Sequence, residues 1–341
     1  MRGQNHDVKY AILRALKEIG SAAGAARIQQ RLRADGIHLQ PRTVRFYLLQ
    51  LDREGLTRAV SRRSGRELTE QGRIELSRAK IPEKLRFIAS QIDSLVYRMS
   101  YDLLAHSGTI VSNLALIRRD CLQAALEEMS RAFGKRLGMG TRLALAREGG
   151  TFGSITVPPG FVAIGTVCSV TANGILLKEG IPVTSRYGGL MEIKDGKPAR
   201  FVALIDYNGT TLDPLEAFIR AGMTRVRDCV RTNNGVIGVS FREIPSAALE
   251  KVRRIKKAME ERGLDGILAI GVPNQPLFEV PVGEGRVGMI VNGGLNPVAA
   301  LNEAGIDVQF RSLAEVEDIA RFEDFTVLRE RHRSAGVGVP P

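Results

Sequence analysis

Hydrophobic residues in the first 80 positions recur at the three- and four-residue spacing of amphipathic helices, and they predict three helices. Each of these helices ends at a glycine, which is a common terminator: Gly20, Gly36 and Gly55. The third helix starts at Pro41, a residue that suits the first helical turn. Two short apolar runs around Gly65 follow it and predict a β-hairpin. Three helices followed by a hairpin indicate a winged helix, a relative of the helix-turn-helix.

Beyond residue 84, short runs with strand character alternate with amphipathic helical stretches. The predicted strands are 109–116, 161–167, 199–205, 235–241, 266–270 and 286–291. Among the predicted helices, one has a capping signal in which Asp213 precedes a proline and Glu216 follows three residues later. The sequence therefore predicts a multidomain protein, with an N-terminal all-α, winged helix-turn-helix domain and a C-terminal α/β effector domain built on a mixed sheet.

The same pattern gives the domain limits. We expect a winged-helix DNA-binding domain over residues 1–80 and a connector helix within 81–98. The α/β regulatory domain is expected over 84–328. The polar, Gly- and Pro-containing segment 329–341 is expected to form a loose tail.

Charge separates the two parts of the chain. The protein carries a formal net charge of +12, and residues 1–80 hold +9 of it, mostly as arginine. A compact basic segment on a nearly neutral body is typical of a domain that binds a polyanion, and double-stranded DNA is the expected partner. A basic surface that serves only solubility, and a winged helix that contacts proteins, are the alternatives.

The core face predicted for the third helix leaves its basic side chains on the opposite face, where they would enter the major groove. Arginine pairs with guanine, and glutamine with adenine. The expected DNA contacts are Arg42, Thr43, Arg45, Gln50 and Arg53 on the helix, and Arg62, Arg63 and Arg66 on the wing. Phe46 and Leu49 lie on the same outer face. They either contact thymine methyl groups or pack on a neighbouring domain, and the sequence leaves both open.

Composition excludes several classes of protein. No run of 18 apolar residues occurs and the N-terminus has no apolar stretch, so we expect neither a membrane span nor a secretory signal. Three widely spaced cysteines and four scattered histidines argue against a disulfide framework and against a metal site. A cytoplasmic protein without a metal or a cofactor, and with no membrane partner, is expected.

The sequence contains none of the standard catalytic motifs, so we expect no enzyme and no catalytic residues. A G-x-G-x-x-G run occupies Gly283–Gly288, but a β-like run follows it, whereas a dinucleotide fingerprint opens a helix. Cys121 has no histidine near it and is expected in the core. Two alternatives stay open. One is an enzyme that acts on a 2-oxo acid, with Tyr187 or Glu192 as its acid or base. The other is an RNA-binding module.

Two stretches rich in glycine and small polar residues are candidates for a small-anion site. Hydroxyls, an amide, a thiol and backbone N–H groups near helix starts favour negative charge. The candidate residues are Thr166, Cys168, Ser169, Thr171, Asn173, Ser185, Arg186, Gly293, Gly294 and Asn296. The alternative is that both stretches are tight turns of an ordinary sheet domain.

Two family resemblances rest on longer motifs. The helix Pro41-Arg42-Thr43-Val44-Arg45-Phe46-Tyr47-Leu48 and the closing run Arg66–Gly72 resemble the winged-helix domain of ribonuclease R and of several transcription regulators. The runs Thr166–Gly174, Gly180–Gly189, Phe241–Pro245 and Gly293–Ala300 resemble the regulatory domain of the archaeal nitrogen repressor family, NrpR.

The second resemblance implies a function. Members of that family repress nitrogen-assimilation genes and sense 2-oxoglutarate, which weakens their hold on DNA. The family's motif cysteine, tied to effector response, falls on Cys168. The chain is thus expected to be a homodimeric repressor that binds an inverted-repeat operator on double-stranded DNA and is released by a small dicarboxylate. Family members often carry two regulatory domains, and this chain has one.

Overall fold

In the computed structural model the chain divides into two compact units, with the boundary between residues 86 and 87. The structure describes residues 2–34, 37–61, 64–73, 76 and 87–335. The predicted connector within 81–98 is seen from residue 87 onward, and its helix belongs to the second unit.

The first unit is a winged helix, as predicted. Its helices are α1 (Arg2–Ile19), α2 (Ala25–Ala34) and α3 (Pro41–Arg53), and its hairpin strands are β1 (Thr57–Ser61) and β2 (Gly65–Leu68). The core contains the apolar faces that the spacing predicted, including Ile12, Ile28, Leu32, Val44 and Leu48. Gly65 has a φ of +88°, and a Cβ there would lie 2.2 Å from the backbone of Ala23, so the hairpin requires glycine at this position.

The second unit is an α/β domain, which confirms the predicted fold class. It contains two five-stranded sheets, and their strand pairs are all antiparallel, whereas a mixed sheet was predicted. The first sheet has the order β13-β3-β7-β4-β14 and the second β11-β12-β10-β8-β9. The strands are β3 (Thr109–Arg118), β4 (Arg142–Arg147), β5 (Thr151–Phe152), β6 (Ile155–Thr156), β7 (Phe161–Val167), β8 (Thr184–Lys194), β9 (Lys197–Asp206), β10 (Gly235–Pro245), β11 (Ile267–Ile270), β12 (Arg286–Asn292), β13 (Val308–Asp318) and β14 (Glu323–Asp324).

Helices cover these sheets and bury their apolar faces between the layers. They are α4 (Ile88–Arg98), α5 (Leu122–Gly134), α6 (Thr171–Lys178), α7 (Pro214–Arg220), α8 (Val226–Thr232), α9 (Leu249–Glu261), α10 (Asn296–Glu303) and α11 (Phe325–Ala335). Helix α11 takes in residues 329–335, which corrects the expectation of a loose tail from residue 329. Its residue Leu328 is buried, so the helix is held to the domain. Residues 336–341 lie outside the described residues.

The second unit contains an internal repeat that the sequence reading missed. The order β3-α5-β4-β7-α6-β8 recurs as β10-α9-β11-β12-α10-β13. Helices α5 and α9 both have 13 residues, and strands β8 and β13 both have 11. After helices α6 and α10 the chain turns at Gly180 and Gly305, each with a φ of +76°.

The last strand of each half crosses into the other sheet. Strand β8 of the first half pairs with β10 of the second, and β13 of the second pairs with β3 of the first. The two halves are therefore related by an approximate twofold arrangement. The connection after β7 and the connection after β12 occupy equivalent positions, so Cys168 corresponds to Gly293 and Ser169 to Gly294.

Candidate functional site

A small cavity of about 20 Å³ lies where the two equivalent connections meet. Four residues predicted for the effector site line it: Cys168, Ser169, Gly293 and Gly294. The connections approach so closely that a Cβ on Gly294 would lie 2.0 Å from the carbonyl oxygen of Val167. The rest of the wall comes from Asn113, Tyr207, Asp213, Leu215, Val239, Ser240, Leu295 and Ser312.

Arg242, on strand β10, is the charged group that holds this region together. Its side chain is 1% exposed. Nη1 donates to the carbonyl oxygen of Ser169 at 2.8 Å and to Oδ1 of Asn173, and Nη2 donates to Oγ of Ser169 at 3.0 Å. Nε is buried and finds no hydrogen-bond partner among the described residues. Burial lowers the pKa of Arg242 to about 10, so the guanidinium stays charged at neutral pH.

Asp213 lies in the cavity wall at the start of α7. Its Oδ1 accepts from the backbone N–H of Glu216 at 3.0 Å, which confirms the predicted capping role. Burial raises the pKa of Asp213 to about 6. Burial also raises the pKa of the neighbouring Tyr207, which is therefore a neutral phenol. The cavity thus has one carboxyl that titrates near neutral pH.

Cys168 is buried in the cavity wall, and its backbone N–H donates to the carbonyl oxygen of Val111 at 2.9 Å. Burial raises the pKa of its thiol to about 11. The thiol is therefore protonated at neutral pH and acts as a small apolar lining group rather than as a nucleophile.

Four predicted residues lie outside the lining and form hydrogen bonds around it: Thr166, Thr171, Asn173 and Ser185. Thr171 Oγ1 donates to the carbonyl oxygen of Val111 at 3.0 Å, which fixes the start of α6 on β3. Asn173 Nδ2 donates to Oγ of Ser185 at 2.9 Å, and Asn113 Nδ2 donates to Oγ1 of Thr166 at 3.1 Å. Asn173 connects this group to Arg242. Ser185 lies in strand β8 and not in a turn.

Two other predicted residues are engaged elsewhere. Asn296 Nδ2 donates to the carbonyl oxygens of Leu137 at 2.7 Å and Gly238 at 2.8 Å, and its Oδ1 accepts from the N–H of Gly238 at 2.9 Å. The side-chain amide of Asn296 thus uses its donors and its acceptor in hydrogen bonds within the domain, which have a structural role. Arg186 Nη1 pairs with Oε1 of Glu243 at 2.8 Å on β8 and β10, away from the cavity lining.

Sequence reasoning missed Arg242 and Asp213 as site residues, although it quoted both in other roles. The available signal was an arginine and a glutamate, Arg242 and Glu243, in the middle of an apolar strand. Both are buried, at 1% and 4% exposure. Charged residues are rarely buried unless they have specific partners or a function. Asn113, Tyr207, Ser240 and Ser312 gave no comparable signal.

A wider cleft of about 610 Å³ lies elsewhere in the second unit, beside helix α11. Leu122 and Val162 provide apolar lining, and Arg119, Arg147 and His332 provide basic groups. None of the predicted effector residues lines this cleft. Desolvation and the charge of Arg147 lower the pKa of His332.

The candidate DNA-binding surface is the exposed face of α3. Arg42, Arg45 and Arg53 are exposed and form no ion pair with any residue that the structure describes. Thr43 and Gln50 are half-buried at the flanks of this face. Arg62 and Arg63, predicted for the wing, lie outside the described residues.

Arg66 has a role that the sequence did not predict. Its Nε donates to Oδ2 of Asp52 at 2.7 Å, which ties the wing to α3. The same carboxylate accepts from Oγ1 of Thr57 at 2.6 Å. The side chain of Arg66 is 23% exposed, so it is committed to this internal contact.

The two residues named for the enzyme alternative, Tyr187 and Glu192, each contact an arginine, and Arg186 Nη2 donates to Oη of Tyr187 at 3.1 Å. Glu192 pairs with Arg200 at 2.7 Å, and a hydrogen bond from that guanidinium lowers the pKa of Glu192. The Gly283–Gly288 run leads into strand β12. Within the described part of the chain, no group of three histidine, cysteine or acidic residues is placed to hold a metal. No described helix is long and apolar enough to cross a membrane.

Comparison with known proteins identifies both units. Residues 10–76 match the model of the ribonuclease R winged-helix domain, and residues 85–324 match that of the NrpR regulatory domains NRD1 and 2. The chain is 34% identical over 307 residues to the global nitrogen regulator NrpRI of Methanosarcina mazei, covering 90% of this chain and 94% of that protein. It is 30% identical to the global nitrogen regulator NrpR of Methanococcus maripaludis, covering 94% of this chain and 56% of that protein.

A solved structure agrees with these matches. The crystal structure of a nitrogen repressor-like protein from Methanococcus jannaschii superposes with a TM-score of 0.61 at 28% identity, covering 70% of this chain and 99% of that one. The family model covers most of the second unit, and the relatives extend through the winged helix. The chain therefore belongs to the NrpR family of nitrogen regulators.

Proposed function

We propose that this protein is a dimeric transcriptional repressor of nitrogen-assimilation genes, and that a small dicarboxylate, with 2-oxoglutarate expected, releases it from DNA. A winged helix whose α3 carries exposed arginines without an ion pair to any described residue supports the DNA-binding part. The names of its relatives as global nitrogen regulators support the regulatory part.

The single observation that carries the effector site is the buried guanidinium of Arg242. It holds the Ser169 wall of the cavity through both Nη atoms, and its Nε is left without a partner among the described residues. A buried positive charge beside small hydroxyls suits a carboxylate, because charge-assisted hydrogen bonds are stronger in a low-dielectric interior.

The size of the cavity implies that the effector changes the conformation. About 20 Å³ accommodates roughly one water-sized molecule, so a five-carbon diacid enters only if the two connections move apart. A ligand that binds the open arrangement alone shifts the population toward it. A tenfold loss of DNA affinity needs a coupling of only about 1.4 kcal/mol.

A backbone hydrogen bond connects the cavity wall to the first helix of the second unit. Tyr207 and Asp213 lie at the two ends of one wall segment, and between them the carbonyl oxygen of Thr210 accepts from the backbone N–H of Ile88 at 3.0 Å. Ile88 is the first residue of α4, which follows the winged helix in the chain. We therefore propose that opening of the cavity shifts α4 and changes the separation of the two DNA-binding domains in the dimer. A twofold dimer would read an inverted repeat.

The test is a DNA-binding titration of the full-length protein with 2-oxoglutarate. Isocitrate and citrate are titrated separately, to show which acid is the effector. We expect at least a tenfold rise in the dissociation constant for DNA with saturating 2-oxoglutarate. Cys168→Ala enlarges the cavity by one sulfur atom and should change the effector concentration needed, while DNA affinity without effector stays the same. An unchanged DNA affinity at millimolar concentrations of all three carboxylic acids would remove the effector proposal and leave the regulator assignment standing.

A further inference from the structure

Two large apolar side chains lie exposed in the middle of the basic face of α3. Phe46 is 56% exposed and Leu49 is 53% exposed, whereas Val44, Leu48 and Leu51 on the opposite face are fully buried. The core of the winged helix is therefore complete without Phe46 and Leu49.

These residues form one stripe with the arginines. Arg42, Phe46, Leu49 and Arg53 follow one another at spacings of four, three and four residues, which places them along a single line of a helix. The basic residues stand at both ends and the apolar pair stands between them. The Phe46 ring contacts Tyr47 edge-on at 5.4 Å between centroids, which restricts its orientation.

We propose that Phe46 and Leu49 contact thymine C5-methyl groups in the major groove, so that each operator half-site carries thymine beside the guanines that the flanking arginines read. This inference rests on the proposed DNA-binding function. The thymine methyl is the apolar group that the major groove presents, and arginine pairs with guanine O6 and N7. DNA also supplies negative charge around Arg42, Arg45 and Arg53, which form no ion pair with a described residue. A protein partner would have to supply both an apolar patch and an acidic rim.

The test uses the full-length protein and a duplex selected from a random pool. Each thymine of the selected half-site is replaced singly by deoxyuridine, which removes the C5 methyl and leaves the base pairing intact. We expect the affinity to fall about fourfold at one or two positions, the equivalent of about 0.8 kcal/mol for one buried methyl group.

Variants assign the effect to the two side chains. Phe46→Ala and Leu49→Ala should each weaken binding to the thymine duplex and abolish the difference between thymine and deoxyuridine at one position. Both positions are exposed and alanine favours helices, so folding should persist, as a melting curve will check. The matched control is Leu104→Ala, which truncates an 85%-exposed leucine of the second unit and should leave the thymine preference unchanged.

The outcomes separate the inference from the function on which it rests. If the protein enriches no sequence from the duplex pool, the proposed function and the inference both fail. If it selects a site whose affinity is insensitive to every deoxyuridine replacement, the inference alone is overturned. The same follows if both alanine variants retain the full thymine preference, which would assign Phe46 and Leu49 to a protein contact.

Discussion

Arg242 and Ser169 lie 73 residues apart in the chain and are joined by a 2.8 Å hydrogen bond from Nη1 of the arginine to the serine carbonyl oxygen. The bond connects strand β10 of the second repeat to the connection between β7 and α6 of the first. Because this hydrogen bond joins the two repeats, a movement of one repeat against the other would change its length. Arg242 therefore carries the positive charge beside the cavity and also connects the two halves of the second unit.

Replacing Arg242 should remove the effector response and reduce stability. Arg242→Met retains much of the apolar volume but leaves the Ser169 carbonyl and the Asn173 amide oxygen without their donor. We expect a loss of about 1–3 kcal/mol in the free energy of unfolding, measured by urea denaturation, because buried acceptors are left unsatisfied. Addition of 2-oxoglutarate should no longer raise the melting temperature.

Arg186→Met is the matched control for that variant. Neither arginine lines the cavity, but Arg242 donates to the wall residue Ser169, whereas the partly exposed Arg186 pairs with Glu243. This variant should also lower the free energy of unfolding, because it leaves the buried carboxylate of Glu243 without its partner, but the effector response should persist. An equal effector response in the two methionine variants would contradict the role assigned to Arg242.

Asp213 should make both stability and effector affinity depend on pH. Its pKa is raised to about 6 in the folded protein from its ordinary value of 3.8, so the native state binds this proton more tightly than the unfolded state. The contribution of Asp213 to stability therefore falls as the pH rises from about 4 through about 6, and it stays low above that range. Loss of the carboxylate charge below about pH 6 should also strengthen binding of a dianion.

The measurement is the urea midpoint and the 2-oxoglutarate affinity on both sides of pH 6. Asp213→Asn retains an oxygen that caps α7 and removes the titrating group, since asparagine is as good an N-cap as aspartate. The variant should lose this part of the pH dependence in both measurements. An Asn variant that follows the wild-type profile would show that another group titrates.

The sequence allowed most of the fold to be predicted, because local spacing defines amphipathic helices and short apolar strands. It did not reveal β8 and β13 as the strands that cross between the repeats. Their pairing depends on partners far away in the chain, β10 and β3, which no local period indicates. Glycines and small polar residues in the 180–189 run, which part of β8 covers, favoured a binding turn over a strand.

For the site, residue type predicted which two connections line the cavity, but not the side-chain contacts that support them. Cys168, Ser169, Gly293 and Gly294, which line the cavity, could be predicted as candidates because small residues before a helix are a local feature. Arg242 was missed because its importance comes from burial and from Ser169, which only the fold brings near. Within the winged helix, Arg66 stays a predicted DNA contact, but its pairing with Asp52 on α3 was not predicted, because the two residues lie 14 positions apart in the chain.

Gly294 should tolerate no side chain. A Cβ at this position would lie 2.0 Å from the carbonyl oxygen of Val167, which is backbone and cannot move away alone. Gly294→Ala should therefore lower the free energy of unfolding by about 1–3 kcal/mol, since added atoms in a packed interior force the neighbours apart. Differential scanning calorimetry would record the drop.

Gly134 provides the control for that substitution. It is the last residue of α5 and a Cβ there has nothing within 4 Å, so Gly134→Ala should be neutral or slightly stabilising. If the two alanine variants melt at the same temperature, the close approach of the two connections is not as tight as the distance indicates.

Arg53 and Arg66 should behave differently although both are arginines of the winged helix. Arg53 is exposed on α3 and has no ion pair with a described residue, so Arg53→Ala should leave stability unchanged. If Arg53 contacts a phosphate, this variant should reduce the salt dependence of DNA binding by about one unit of slope, which is the release of one counterion.

Arg66 instead holds β2 to Asp52, so Arg66→Ala should lower the free energy of unfolding by about 1 kcal/mol. Its loss should weaken DNA binding through the misplaced wing with little change in the salt slope. DNA binding measured at several salt concentrations, together with a melting curve, separates the two roles, and a full unit of slope lost on Arg66→Ala would place Arg66 on the phosphates after all.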